Sequence, residues 1–145
     1  MELVQETTEL EATPDEVWHV LTDPDGAEAW LGSGAVIDPV DGGSIHAPDP
    51  ESGVPRTGSV DHADPGRRLD YTWWPADPGS DLPASTVTIE LIPTVTGTRL
   101  VVTERPLHAQ ASIAPTASAT ASTTWTWRLA GIEVGIWCRT AGVAI

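Results

Sequence analysis

The sequence predicts an α+β fold in which an antiparallel sheet of about six or seven strands packs against a long C-terminal helix, with two short helices after the first strand. Three observations predict it: period-two apolar alternation between residues 35 and 105, a helix-start signal after the first strand, and helical apolar spacing near the C-terminus. The 145 residues fit one domain over 1–145, because one core typically serves about 100 to 200 residues.

The first elements are a strand and two short helices. Loose apolar alternation over residues 2–12 predicts a half-buried strand. The run Thr13-Pro14-Asp15-Glu16 combines an N-cap, a proline at the first helical position and a glutamate that closes a capping box, so a helix begins at residue 14. Asp23-Pro24 ends that helix and begins a second one, which carries Trp30.

The sheet is predicted from residues 35–105, where alternating segments are separated by turn sequences. The hairpin turns are Asp41-Gly42-Gly43, Asp64-Pro65-Gly66 and Thr96-Gly97. On the middle strands the inward-facing sets are Leu69, Tyr71 and Trp73, and Val87, Ile89 and Leu91. On the next strand Glu104 has the same parity as Leu100 and Val102, so we expect a carboxylate that faces the apolar interior.

The C-terminal helix is predicted to begin near Trp125 and to run for about 16 to 20 residues. Its apolar residues recur at helical spacing and form a wide face: Trp125, Leu129, Ile132 and Ile136, with Ala130, Val134 and Trp137. We expect Trp18 and Trp137 to belong to the core. A stripe of small residues, Gly131, Gly135, Cys138 and Gly142, lets the helix lie close to the sheet or leaves room beneath it. The Ala/Ser/Thr-rich residues 109–124 are predicted to form a loop.

Charge and composition exclude several classes of function. The formal net charge of −14 has the wrong sign for binding nucleic acid. No apolar stretch approaches the roughly 20 residues needed to cross a bilayer, so we expect no membrane partner. A single cysteine and an N-terminus without a signal-peptide pattern favour the cytoplasm. The four histidines lack metal-ligand spacing, so neither a metal nor another cofactor is expected.

Seven segments together resemble the START-like (SRPBCC) superfamily, in particular its chaperone ATPase activator-like branch. They are residues 12–18 (ATPDEVW), 21–24 (LTDP), 29–30 (AW), 58–60 (GSV), 64–73 (DPGRRLDYTW), 87–91 (VTIEL) and 97–104 (GTRLVVTE). The resemblance covers nearly the whole chain and implies a helix-grip fold, in which a curved sheet wraps around the long C-terminal helix. It also implies an internal pocket for an apolar or aromatic small molecule. After Arg105 the chain departs from the family pattern, so the resemblance does not identify which residues of this chain would close the pocket.

Candidate site residues lie on the elements that flank such a pocket. The predicted ligand-binding residues are Trp30, Tyr71, Trp73, Glu104, Trp125, Leu129 and Ile132, since aromatic rings with polar tips suit flat, partly polar ligands. Glu104 could orient or protonate a ligand carbonyl, or form an ion pair with Arg99, Arg105 or another arginine at the strand end. His108 is a candidate acid/base partner for Glu104. We expect Glu104→Gln to change ligand affinity more than stability.

The first prediction is therefore a small-molecule-binding protein, monomeric or weakly dimeric. Three alternatives remain open. A cofactor-independent cyclase or aromatase would use an inward Glu104, assisted by Tyr71, His108 or Arg105, to move protons on a preorganised substrate. A module that binds a chaperone or a regulatory protein would act through its acidic surface. Self-protection against a reactive natural product is the last alternative.

Overall fold

The computed structural model of the chain describes residues 3–48, 53–80, 83–107, 125 and 128–137. Strand β1 (Val4–Leu10) is followed by helices α1 (Pro14–Thr22) and α2 (Pro24–Leu31). Six strands come next: β2 (Val36–Ile37), β3 (Ser44–Ala47), β4 (Arg56–Asp64), β5 (Arg68–Pro75), β6 (Ser85–Pro93) and β7 (Thr98–Pro106). A C-terminal helix, α3, covers residues 128–137, and Trp125 is also helical.

The seven strands form one antiparallel sheet in the order β1-β7-β6-β5-β4-β3-β2. Successive strands from β2 to β7 are neighbours, and β1 joins the sheet beside β7, the last strand. The register between β4 and β5 shifts between Val60 and His62, which is the signature of a bulge that increases local twist. The predicted α+β, helix-grip class with a curved sheet is confirmed.

Both predicted helix starts are confirmed. Thr13 Oγ1 accepts a hydrogen bond from the Glu16 N–H at 3.2 Å, and Glu16 Oε1 accepts one from the Thr13 N–H at 2.9 Å. This reciprocal pair satisfies two backbone donors that a helix N-terminus otherwise leaves unpaired. Asp23 alone separates α1 from α2, which begins at Pro24 because proline at the first helical turn requires no amide donor.

The small residues of α3 face the two short helices rather than the sheet. A Cβ on Gly131 would lie 1.9 Å from the Ala29 carbonyl oxygen, and one on Gly135 would lie 2.8 Å from Val20 Cγ1. Glycine therefore allows α3 to approach α1 and α2 closely. Of the predicted stripe, Cys138 and Gly142 fall outside the described residues, as does the loop predicted over 109–124.

The apolar face of α3 is narrower than its sequence predicts. Leu129, Ile132 and Ile136 are buried, whereas Val134 is 56% exposed and Trp137 is 63% exposed. The prediction that Trp137 belongs to the core is wrong, because close packing at the glycines turns the side of the helix that carries Trp137 outward. Trp18, by contrast, is partly buried and packs against the core.

The core lies between the inner face of the sheet and the helices. The inward sets predicted for β5, β6 and β7 are buried, among them Leu69, Ile89 and Leu100, which are fully enclosed. Within the described part of the chain, no helix has the length and apolarity to span a membrane.

Candidate functional site

The candidate site is built on two neighbouring cross-strand rows of the inner sheet face. In the first row Tyr71 on β5 lies opposite Val87 on β6, and Val87 lies opposite Glu104 on β7. In the second row Trp73 lies between Gly58 on β4 and Ser85 on β6. Because side chains two residues apart on a strand share a face, the two rows place these residues on one patch.

Both cross-strand neighbours of Trp73 are small residues, Gly58 on β4 and Ser85 on β6. Gly58 cannot be replaced without conflict, since a Cβ there would lie 2.0 Å from the Thr72 carbonyl oxygen and 2.6 Å from Trp73 Cα. Ser85 is 4% exposed, and its hydroxyl oxygen accepts a hydrogen bond from Trp73 Nε1 at 3.0 Å. The Trp73 indole therefore directs its N–H toward Ser85 on β6 and Glu104 on β7.

Glu104 is the centre of the polar contacts. Its Oε2 accepts hydrogen bonds from Ser85 Oγ at 2.5 Å and from Trp73 Nε1 at 3.2 Å. Its Oε1 accepts one from Trp125 Nε1 at 2.8 Å. The half-buried carboxylate therefore ties β5, β6 and the start of the C-terminal helical segment together, and hydrogen bonds to a charged acceptor are stronger than neutral ones.

The arginines named as alternative partners of Glu104 on its own strand lie elsewhere. Arg99 Nε donates to Glu9 Oε2 at 2.6 Å on the opposite face of the sheet. Arg105 has the outward parity of β7 and is exposed. Glu104 instead has the inward orientation that strand parity predicts.

A buried cation from α3 completes the patch. Arg128 is 1% exposed, and its guanidinium carbon lies 5.1 Å from the centroid of the Trp73 ring and 5.7 Å from that of Trp125. Its Nη1 also donates to the Trp30 carbonyl at 3.5 Å. Attraction between a guanidinium and the electron-rich faces of indoles is strengthened in a desolvated site.

The aromatic rings form two pairs around this cation. Trp30 stacks on Trp125 with ring centroids 6.4 Å apart and an interplanar angle of 27°. Tyr71 meets Trp73 edge-to-face at 5.1 Å and 78°. The Trp30 indole is anchored by a 3.1 Å hydrogen bond from Nε1 to the Leu21 carbonyl, so helix α2 positions that ring.

Tyr71 carries a polar atom that the structure leaves unpaired. The residue is fully buried, and its hydroxyl has no hydrogen-bond partner among the described residues. Burial raises the pKa of the phenol well above its ordinary range; the nearby charges of Arg128 and Arg56 act in the opposite direction, and Glu104 adds to the rise. The phenol thus remains a neutral hydrogen-bond donor.

The structure brings the predicted ligand-binding residues together at the junction of sheet, α2 and α3. Glu104 is half-buried and the others are buried, namely Trp30, Tyr71, Trp73, Trp125, Leu129 and Ile132. Their role in ligand binding stays a prediction. His108, the proposed acid/base partner, lies outside the described residues.

Three residues of the patch were not predicted. Ser85 precedes the segment recognised as a strand, although it has the inward parity of Val87. Arg128 lies one turn from Trp125 on the buried helix face, so an arginine at an apolar position was the available signal. Arg56 begins β4, and its guanidinium carbon lies 5.3 Å from the Trp73 ring centroid; no sequence pattern indicates that contact.

The groups of the patch are suited to noncovalent recognition. In the described ranges, no three His, Cys, Asp or Glu side chains come together as a ligand set for an ion. The indole N–H groups donate to Glu104, Ser85 and the Leu21 carbonyl, and both Glu104 oxygens accept hydrogen bonds. The Tyr71 hydroxyl has no partner among the described residues, so it is a group that can orient a polar atom of a flat molecule.

A surface cleft of about 390 Å³ lies apart from this patch, between the start of α1 and the β6–β7 turn. Its lining includes Glu11, Glu16 and Val95. Glu16 is committed to the capping box of α1, and none of the predicted site residues reaches the cleft.

Comparison with known proteins identifies the family. The model of the family described as "Activator of Hsp90 ATPase homolog 1-like protein" matches residues 11–133. No curated protein matches the sequence. Among solved structures, protein MLL2253 from Mesorhizobium loti is similar with 28% identity and a TM-score of 0.75, and the alignment covers 96% of this chain and 98% of that one.

Two further structures share the fold at lower identity. The Aha1 protein of Colwellia psychrerythraea, solved as a dimer, is 18% identical with a TM-score of 0.72, over 94% of this chain and 96% of that one. DynU16, a protein of the dynemicin biosynthetic locus, is 22% identical with a TM-score of 0.73, over 92% of this chain and 46% of that one. The resemblance drawn from the seven sequence segments is confirmed, and the chain belongs to the Activator of Hsp90 ATPase homolog 1-like family.

Proposed function

We propose that this protein binds one flat, largely apolar small molecule, aromatic or polyketide-like, between the inner sheet face and α3. The observation that carries the proposal is the convergence of the Trp73 and Trp125 rings on the buried Arg128 guanidinium, with Trp30 stacked on Trp125 and Tyr71 edge-to-face against Trp73. Aromatic side chains with a few aimed polar groups are the usual lining of small-molecule sites.

The similarity to DynU16 supports a small-molecule ligand. DynU16 is a protein of the dynemicin biosynthetic locus, and the aromatic pairs of this site suit a flat molecule. The family as a whole has a fold compatible with ligand binding.

The contacts of Glu104 favour binding over turnover. Its two oxygens accept three hydrogen bonds from Ser85, Trp73 and Trp125. A carboxylate engaged in this way holds its donors in position, whereas a general acid or base needs an oxygen directed at the substrate. We therefore place Glu104 as a positioning residue, and the cyclase or aromatase activity remains the alternative.

Calorimetric titration of flat aromatic and fatty-acid probes tests the proposal. Two matched variants distinguish binding at the buried patch from binding at the protein surface. Trp125→Phe removes the N–H that donates to Glu104, and Trp74→Phe changes an indole that is 42% exposed on the outer sheet face. We expect saturable one-site binding of a flat aromatic probe, weakened several-fold by Trp125→Phe and unchanged by Trp74→Phe. Absence of binding for every probe would refute the proposal and favour a protein-interaction module.

A further inference from the structure

The Tyr71 hydroxyl is a buried polar group that takes no part in the hydrogen bonds around Glu104. It is fully enclosed and has no hydrogen-bond partner among the described residues. Buried hydroxyls in proteins are almost always paired, because water lost on burial must be replaced by another partner. An unpaired one beside a ring of aromatic side chains indicates a partner that comes from outside the chain.

The side-chain acceptors of the patch, Glu104 and Ser85, already accept hydrogen bonds from other donors. Glu104 accepts hydrogen bonds from the Trp73 and Trp125 indoles and from the Ser85 hydroxyl. The Ser85 oxygen accepts one from Trp73 as well. The Tyr71 ring is held edge-to-face against Trp73 at 5.1 Å, so the direction of its C–O bond is set by packing. What the hydroxyl lacks is an acceptor in its own direction.

The surrounding charges define which partner fits. Two cations, Arg128 and Arg56, and one carboxylate, Glu104, act on the Tyr71 phenol. A partially negative oxygen next to the hydroxyl is attracted by the guanidinium of Arg128, which lies against the same Trp73 ring at 5.1 Å. A hydrocarbon surface in that place would leave the hydroxyl unpaired.

We propose that Tyr71 donates a hydrogen bond to a carbonyl oxygen of the bound molecule, so that the ligand class is a flat aromatic ketone or quinone rather than a hydrocarbon or a fatty acyl chain. The inference rests on the proposed small-molecule site and adds the polar group that the ligand must carry.

The test compares two probes that share one tricyclic skeleton, 9-fluorenone with its carbonyl and fluorene with a methylene in the same place. Each is titrated into the wild-type protein and into Tyr71→Phe, which removes only the hydroxyl. We expect the affinity for fluorenone to fall about three- to tenfold in Tyr71→Phe, the range for one neutral hydrogen bond, and the affinity for fluorene to stay the same. The thermal midpoint of Tyr71→Phe should not fall, since no intramolecular hydrogen bond is lost.

A second readout does not depend on the variant. The ¹³C resonance of carbonyl-labelled fluorenone bound to the wild-type protein should lie downfield of its position in cyclohexane, where the carbonyl has no hydrogen-bond donor. Equal affinities of fluorenone for wild type and Tyr71→Phe, or a bound carbonyl resonance at its cyclohexane position, would overturn the inference while leaving the binding site intact. Failure of both probes to bind the wild-type protein would overturn the proposed function and this inference together.

Discussion

Replacing Glu104 by glutamine measures how much the Glu104 carboxylate contributes to the stability of the folded protein. The amide keeps one acceptor oxygen and turns the other into an NH₂ group. Ser85 and Trp73 both donate to Oε2, and Trp125 donates to Oε1. If the amide oxygen takes the place of Oε2, the Trp125 N–H faces the NH₂ group, which is itself a donor. One indole donor then loses its acceptor, and the remaining bonds lose their charge assistance.

The expected cost follows from these contacts. Leaving a buried donor unpaired costs about 1 to 3 kcal/mol, and the half-buried position of Glu104 favours the lower part of that range. We expect Glu104→Gln to lower the free energy of unfolding by about 1 to 2 kcal/mol, which for a chain of this size is a fall of about 2 to 8 °C in Tm. The network thus adds a loss of stability to the change in ligand affinity that strand parity alone predicts.

Urea unfolding followed by tryptophan fluorescence checks this value, with equal m-values required for the comparison. Glu90→Gln is the matched control, because Glu90 lies on β6 with its side chain 45% exposed and only 3.9 Å from Arg68 as an ion pair. That control should change stability by less than about 0.5 kcal/mol. A Glu104→Gln protein as stable as the control would show that the indoles and Ser85 do not depend on the carboxylate.

Three further predictions follow from the helices and from Tyr71. Gly131→Ala should lower stability by about 1 to 3 kcal/mol in chemical unfolding, because the new Cβ would lie 1.9 Å from the Ala29 carbonyl and overpacking outweighs the gain in helix propensity; a stabilised variant would contradict the close approach of α3. Thr13→Ala should cost about 1 kcal/mol by removing the α1 cap, and Thr7→Ala on the exposed outer face of β1 is its control. Because Tyr71 is the only tyrosine and its pKa is raised above the ordinary value of 10.0, the unfolded chain ionises first: stability is intact below pH 10 and is lost as the pH rises further. Phenolate absorbance should therefore appear together with unfolding, and its appearance in the folded protein near pH 10 would contradict burial of the phenol.

Strand parity was enough to predict most of the sheet residues that face the candidate site. A period of two assigns every residue of a strand to one face, so Tyr71, Trp73 and Glu104 could be predicted to face inward from local sequence alone. The helix starts were equally accessible, because the capping box and the two prolines are local signals.

The orientation of α3 and the position of Arg128 could not be predicted from the sequence, because they depend on how the helices pack against one another and against the sheet. Apolar residues surround much of α3, so its sequence does not distinguish the side that meets the protein from the side that carries Trp137. The choice is made by Gly131 and Gly135, whose missing side chains admit the backbone of α2 and the side chain of Val20. Only after that docking does Arg128 lie against the Trp73 ring, a contact between residues 55 positions apart that no local pattern encodes.

A binding site between the sheet and the C-terminal helix is tested by a ¹H–¹⁵N correlation spectrum of the tryptophan indoles, recorded during titration with 9-fluorenone. Seven indoles report on seven positions, and Trp18 and the outward-facing Trp74 act as internal controls. We expect saturable shifts of the Trp30, Trp73 and Trp125 N–H resonances with Trp18 and Trp74 unmoved. Shifts confined to exposed indoles, or no shift up to the solubility limit of the probe, would contradict a binding site between the sheet and the C-terminal helix.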